Sequence, residues 1–221
     1  IKYHSDLRKM ISGILDVPSS ITFPENVRII GAINIDETTH YLSPKVLDRA
    51  HVMKFDSPLL YDRELIASER HSETDANKII KFSLKDFKER EPYPEFDWED
   101  EFCSKMADLT KKYFVDLGVD VGFRTIRQGL NYRNKLSHFQ SRTDIFINNF
   151  VLHKILPKFT FDGNSGVKDG DKITILKDFK EELRIIIGEE LGKGDVRSAI
   201  EEMEKIIRKS LENDGIVNYW A

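Results

Sequence analysis

The chain has 221 residues, of which 40% are hydrophobic and 33% are charged, and its formal net charge is −4. This composition is typical of a folded globular protein with a charged surface, and the small net charge gives no global sign of a nucleic-acid or membrane partner. A single cysteine, Cys103, excludes an internal disulfide and favours a reducing compartment, the cytoplasm, while no apolar run reaches the roughly 20 residues of a membrane-spanning helix.

The first part of the chain alternates helical and strand patterns. Its β-branched run from Val27 to Ile33 is typical of a strand buried on both faces of a parallel sheet. Ser43 and Pro44 are residue types preferred at the N-cap and first position of a helix. In chain order, the sequence predicts a helix over 6–15, a strand over 27–33, a helix from Pro44 to about Arg49 and a strand over 51–55.

The remainder of the chain is first polar and then helical. Residues 59–96 are highly charged and contain Pro92 and Pro94, which predicts a connector with one helix over 62–70. Beyond it we predict helices over 98–116, from about 122, and over 143–156, 178–190 and 196–213, with an exposed loop or hairpin over 161–176. We therefore expect a mixed α/β, mostly α-helical fold with an α/β part over 1–58, a connector over 59–96 and an all-helical part over 97–221.

Two polar side chains of the first part lie where phosphate chemistry is often found. Asn34 follows the predicted strand, and ligands bind beyond the carboxyl ends of the strands in open α/β sheets. It either contacts water or a phosphate there, or merely starts a turn. Arg49 follows the short helix, where a guanidinium can reach a neighbouring subunit and stabilise transferred phosphoryl charge. The alternative for Arg49 is a surface salt bridge with Asp48 or another acid nearby.

Five further residues are candidates by type and spacing. Arg124 and Arg127 lie one helical turn apart near the start of a predicted helix, which suits a phosphate, although they can equally be two solvated arginines. Asp36, Glu37 and His40 are metal ligands by residue type. No second cluster completes a coordination shell, so we expect no metal site there.

Three other motifs have weaker support. The run GEELGKGD around Lys193 lacks the glycine spacing of a phosphate-binding loop, and Gly194 replaces the Ser or Thr that holds magnesium. Arg133 and His138 match the short Arg-x4-His pattern of HEPN ribonucleases, which leaves that activity as a remote alternative. Cys103 lies in a helical pattern without a protease context, and we expect it to pack in the core.

One long run resembles a known family. The sequence IIGAINIDETTHYLSPKVLDRAHVMKF, residues 29–55, resembles McrB-type AAA+ proteins, the motor subunits of modification-dependent restriction systems, with Ala32 where Thr is usual. The segments HKILPKF, residues 153–159, and SAIEEMEKIIRKSLENDGIVNYW, residues 198–220, resemble segments of the same family. The resemblance implies the C-terminal part of an AAA+ α/β core over 1–58 and an AAA+ helical lid over 97–221.

The resemblance also implies roles for individual residues. Asn34 corresponds to sensor 1, Arg49 to the arginine finger and Arg124 to sensor 2. Arg127, on the same predicted face, is the second candidate for sensor 2. The loop between subunits would be shaped by Asp36, Glu37 and His40.

The chain departs from the family in one respect that bears on activity. An AAA+ site needs a phosphate-binding loop and a strand ending in Asp-Glu, and we expect both upstream of Ile1 in a longer protein. That intact protein would use Mg²⁺ with GTP or ATP, assemble into a ring, expected to be a hexamer, act with a McrC-like nuclease subunit and reach DNA through other domains. This chain alone would bind no cofactor. The alternative function is a non-catalytic helical protein-interaction module.

Overall fold

The structure is a computed structural model that describes residues 2–12, 27, 29–34, 42–55, 92–136, 142–167, 170–188 and 197–220. The chain divides into two compact units, one of residues 1–33 and 72–91 and the other of residues 34–71 and 92–221. The expected domain boundaries near residues 58 and 96 stay predictions. The predicted helix over 62–70 lies outside the described residues.

The first unit contains the helix α1 (Lys2–Ser12), which confirms the predicted helix over 6–12, while residues 13–15 lie outside the described residues. The predicted buried strand over 27–33 is wrong for the residues described, because Val27 and residues 29–33 form no strand and are exposed. Ile30, for example, is 96% exposed. A strand forms only beside a neighbour that pairs with its backbone groups. No such neighbour for this run occurs in the described part of the chain.

The second unit is mostly helical. Its helices are α2 (Pro44–Leu47), α3 (Glu101–Leu109), α4 (Val115–Leu117), α5 (Phe123–Leu136), α6 (Thr143–Phe150), α7 (Lys172–Ile187) and α8 (Ala199–Glu212). A π-helical turn, Thr110–Phe114, joins α3 to α4, and a second π-helical turn, Val151–Ile155, with a 3-10 turn, Leu156–Lys158, extends α6. These elements confirm the predicted helices over 98–116, from about 122, over 143–156 and over 196–213, although α3 begins only at Glu101 and α8 only at Ala199.

Capping side chains determine where several of these helices begin. Asp100 accepts hydrogen bonds from the amides of Phe102 and Cys103 at 3.0 and 3.1 Å and so caps α3. Asp171 accepts from the Thr174 amide at 2.7 Å and caps α7, which therefore starts at Lys172 rather than at the predicted residue 178. The prediction assigned the first residues of α7 to the loop over 161–176, because it did not identify Asp171 as an N-cap.

The strands are short and antiparallel. The predicted hairpin over 161–176 is confirmed in part, because β2 (Gly166–Val167) pairs with β3 (Gly170–Asp171). A pairing that the sequence did not predict joins β1 (Thr160–Asp162) to β4 (Ile216–Asn218), with Phe161 opposite Val217. This pairing fixes the end of the chain onto the helical unit, where the closing Trp220 donates its indole N–H to the Pro157 carbonyl at 3.1 Å.

The core of the second unit lies between α3, α5, α6, α7 and α8 and is rich in aromatic rings. Phe114, Phe159 and Phe179 are fully buried, and the rings of Phe114 and Phe179 meet edge to face at 5.0 Å. Cys103 is fully buried as well, as expected of a packing residue. The apolar area removed from water by these rings is the main stabilising contribution to the unit.

Residues 51–55, which belong to the second unit, form no strand, so the predicted second strand is wrong. The Val52 amide donates to the His153 carbonyl at 2.9 Å, and His153 Nδ1 lies 2.8 Å from the Val52 carbonyl. The partner of this segment is therefore a π-helical turn rather than a strand. An apolar β-branched sequence predicts extended backbone, but it does not determine which element accepts its hydrogen bonds.

Candidate functional site

The site is built around a turn that follows α2, residues 48–50, which we call the Arg49 turn. Helix α2 has only four residues, too few to be stable without tertiary contacts. Leu47 anchors it in the core with 7% of its surface exposed. The amides of Arg49 and Ala50 donate to the Val46 carbonyl at 2.9 and 2.8 Å, which brings Asp48 and Arg49 to the end of the helix.

Lys154, from the π-helical turn after α6, holds the backbone of the Arg49 turn. The lysine is 1% exposed, and its Nζ donates to the carbonyls of Leu47, Asp48 and Ala50 at 3.3, 2.8 and 2.8 Å. Burial, together with the positive charge of Lys158, lowers the pKa of Lys154 to about 8. The negative charge of Asp48 favours the protonated form, as do the hydrogen bonds to the carbonyl oxygens. The ammonium thus donates hydrogen bonds to carbonyls at the end of α2, which have no partner within the helix.

The carboxylate of Asp48 is held by the same helical region. Thr125 donates its hydroxyl to Asp48 Oδ1 at 2.8 Å, and Lys158 Nζ lies 3.4 Å from the same oxygen while it donates to the Asp120 carbonyl at 2.7 Å. Burial alone would raise the pKa of Asp48, but the Thr125 hydrogen bond and the Lys158 charge outweigh it and lower that pKa. Asp48 is therefore ionised, and its carboxylate binds Thr125 and Lys158.

The guanidinium of Arg49 differs from the carboxylate of Asp48 in what surrounds it. Arg49 is exposed, and its side chain forms no hydrogen bond or ion pair with any residue that the structure describes. The alternative interpretation from sequence was a salt bridge to Asp48, but that carboxylate is bound by Thr125 and Lys158. A fixed backbone thus carries an exposed arginine with no acidic partner among the described residues.

The two arginines of α5 differ in what they contact. The side chain of Arg124 is 58% exposed and has one ion pair, from Nη1 to Asp48 Oδ2 at 3.4 Å. Arg127 donates to the carbonyls of Tyr93 and Pro94 at 3.0 and 2.7 Å and to Glu95 Oε1 at 3.1 Å. Arg124 is therefore accessible to a ligand, whereas Arg127 fixes the chain before α3 to the helical unit.

The other candidates from the 29–55 run are less well defined. Asn34 is exposed and lies in no strand, so that its convergence with Arg124 on one cleft stays a prediction. Asp36, Glu37 and His40 lie outside the described residues. Within the described ranges, no three His, Cys, Asp or Glu side chains are grouped so that they could hold a metal ion. The same ranges contain no helix that is long and apolar enough to cross a membrane.

Arg133, the arginine of the HEPN-like pattern, has a structural role. Its Nη1 and Nη2 donate to the two carboxylate oxygens of Asp100 at 3.1 and 2.6 Å. Asp100 is the N-cap of α3, so this bidentate pair ties the start of α3 to α5. His138 lies outside the described residues. An RNA phosphate could bind Arg133 only by breaking its pair with Asp100.

Sequence reasoning missed Thr125, Lys154 and Lys158 as residues of the site. A signal was present for the two lysines, because HKILPKF spaces them four residues apart on one helical face. In the sequence alone, that segment indicates only the family resemblance. No protein-family model, curated protein or solved structure matches this chain, so the residues and their geometry alone support a function.

Proposed function

We propose that this chain is the C-terminal part of a McrB-like AAA+ nucleoside triphosphatase, with part of the AAA+ core and the helical lid. The intact protein would hydrolyse GTP or ATP in a ring and drive a McrC-like DNA-cleaving partner. The likeness of residues 29–55 to these motors supports the proposal. The structural observation that carries it is the exposed Arg49 guanidinium on a backbone held by Lys154.

An arginine finger needs these two properties together. Charge develops on the equatorial oxygens of a phosphoryl group during its transfer, and a donor that is already in place stabilises that charge without reorganisation. Lys154 limits the movement of the Arg49 backbone, and no described acid competes for the guanidinium. We assign Arg49 to the nucleotide of a neighbouring subunit.

Arg124 is the residue that we assign to the nucleotide of its own subunit. Its ion pair with Asp48 is long, at 3.4 Å, and the arginine side chain is 58% exposed. Such exposed pairs contribute about 0–1 kcal/mol, so a phosphate can displace the carboxylate. Arg127 is the weaker candidate, because a phosphate would have to break its hydrogen bonds to Tyr93, Pro94 and Glu95.

The nucleotide would supply the transferred phosphoryl group, and Mg²⁺ would neutralise charge on its phosphates. Among the described residues, Arg124 suits a phosphate by its exposure and by the fork geometry of its donors. The groups that bind Mg²⁺ in AAA+ proteins belong to the phosphate-binding loop and the Asp-Glu strand, which this sequence does not contain. We therefore expect the chain alone to turn over neither GTP nor ATP.

The test is Arg49→Ala in the intact protein, with turnover of GTP and ATP measured at saturating Mg²⁺. We expect kcat to fall by about a thousandfold or more while KM changes far less, because the lost interaction forms in the transition state. Arg208→Ala, which removes another exposed arginine, is the matched control and should keep full turnover. An undiminished kcat in Arg49→Ala would refute the assignment.

A mixing experiment separates action on a neighbour from action within one subunit. Arg49→Ala subunits are combined with subunits disabled in the phosphate-binding loop, neither of which should be active alone. In a mixed ring, some sites pair an intact loop with an intact Arg49, and turnover should partly return. Absence of recovery in rings proven to be mixed would exclude the trans role.

A non-catalytic protein-interaction module is the second candidate, and one observation favours it. Trp98 and Phe123 are 61% and 62% exposed, and both rings pack edge to face on Phe96 at 4.9 Å. Clustered exposed aromatic rings are a common feature of protein interfaces. An intact protein that assembles but hydrolyses neither GTP nor ATP would favour this candidate.

A further inference from the structure

Side chains that lie far from it in sequence bind the Arg49 turn and connect it to the rest of the fold. Lys154 binds the carbonyls on both sides of Arg49, those of Asp48 and Ala50, at 2.8 Å each. Thr125 binds the Asp48 carboxylate at 2.8 Å. These lysine and threonine side chains belong to the described helical residues between 92 and 220, which we call the helical body.

Local structure contributes little to the position of the turn. Helix α2, before the turn, has four residues, and residues 51–55, after it, form no strand and bind the helical body through His153. A turn between two such elements takes its position from the groups that bind it. The turn and the helical body also belong to one compact unit.

We propose that Lys154 is a positioning residue for Arg49 and that, with Thr125 and Asp48, it makes the Arg49 turn move as one piece with the helical body. This inference rests on the proposed function. A nucleotide that binds Arg124 of the helical body in one subunit would thereby move the arginine that serves the next subunit. The helical body is thus the regulatory link between consecutive sites of the ring.

The direct alternative is that Lys154 only stabilises the fold. The two roles differ in a double-mutant cycle, because a residue that acts through Arg49 has nothing left to act on once Arg49 is removed. Lys154→Met removes the ammonium and keeps a side chain of similar length. In the intact protein we expect kcat to fall by about a hundredfold with KM nearly unchanged, since a displacement of about 1 Å is enough for such a loss. In the Arg49→Ala background, the same substitution should have no further effect on kcat.

Amide hydrogen exchange tests the positioning without relying on turnover. The amides of Arg49 and Ala50 donate to Val46, and their exchange should become at least tenfold faster in Lys154→Met, whereas exchange within α7 should be unchanged. Lys180→Met is the matched control, because Lys180 Nζ contacts only the carboxylates of Glu181 and Glu204 among the described residues. The control should change neither kcat nor the exchange of the Arg49 turn.

A second variant covers the case in which Lys154→Met fails to fold. Thr125→Val keeps the shape of this fully buried side chain and removes the hydrogen bond to Asp48. We expect about a tenfold lower kcat, which should again disappear in the Arg49→Ala background, and faster exchange at Arg49 and Ala50.

The outcomes distinguish the inference from the proposed function. Absence of GTP and ATP turnover by the unmodified intact protein would overturn the proposed function and the inference that rests on it. Normal turnover with unchanged exchange in the Arg49 turn of the variants would overturn the inference alone. So would losses in kcat that multiply in the double variants, because they would show that Lys154 and Thr125 act independently of Arg49.

Discussion

Gly129 offers a sharp test of how α5, the helix that carries Arg124 and Thr125, is held in the core. A methyl group at this position would lie 2.6 Å from Cζ of Phe102 and 2.7 Å from Cε2 of Phe150. Both rings are buried and meet edge to face with their centroids 5.2 Å apart, so neither can yield without disturbing the other. The glycine is therefore required for the close approach of α5 to α3 and α6.

Gly129→Ala should consequently destabilise the chain, although the same change in an open helix stabilises it. The gain in helix propensity is about 1 kcal/mol, and overpacking a dense core costs about 1–3 kcal/mol. We expect a net loss of up to about 2 kcal/mol and a melting temperature lower by up to about 8 °C for a chain of this size.

The assay is thermal unfolding of the 221-residue chain followed by circular dichroism. Gly122→Ala, just before α5, is the control, because a methyl group there meets no atom within 4 Å and should cost less than about 1 kcal/mol. A Gly129→Ala chain that melts above the unmodified chain would refute the close contact between α5 and the two rings.

Two further predictions concern residues 42–55 and His153, which binds Val52. Burial lowers the pKa of His153, while the unfolded chain takes up this proton near pH 6.5. The stability that the neutral His153 ring contributes should therefore be complete well above pH 6.5 and fall as the pH drops below it. Melting temperatures from pH 7.5 to 4.5 check this, and His153→Gln should weaken the dependence. A fragment of residues 42–221 should melt above one of residues 92–221, because the shorter one leaves the buried Lys154 without its carbonyl partners; equal melting temperatures would contradict this.

The helices could be predicted from the sequence because their determinants are local. Asp100 and Ser198 each cap a helix by accepting hydrogen bonds from amides two or three residues further along the chain. The apolar spacing of α8 determines which face of that helix is buried. The strands could not be predicted in the same way. Residues 216–218 pair with residues 160–162, and nothing in either segment identifies the other.

The candidate site shows the same division between local and remote information. The sequence indicated Arg49 as a candidate, but it also allowed the adjacent Asp48 to be its partner. The structure pairs Asp48 with Thr125 and Lys158 instead, at sequence separations of 77 and 110 residues. Since such pairings depend on tertiary packing, the residues that hold the Arg49 turn became visible only in the folded chain.

The partners of an arginine constrain what it can do for another molecule. Arg127 binds two carbonyls and Glu95, Arg133 binds both oxygens of Asp100, and Arg197 binds Glu202 and the Lys54 carbonyl. Recruiting any of them to a ligand would cost the hydrogen bonds that it makes inside the protein.

Arg49 carries no such cost among the described residues, and its guanidinium contributes little to the stability of its own chain. Replacing it should therefore leave the melting temperature nearly unchanged, because exposed side chains outside such networks alter stability by less than about 0.5 kcal/mol. A large loss of turnover in a variant of unchanged stability is the result that only a functional role for Arg49 explains. A loss of both together would instead place Arg49 among the structural arginines and remove the main support for its action on a neighbouring subunit.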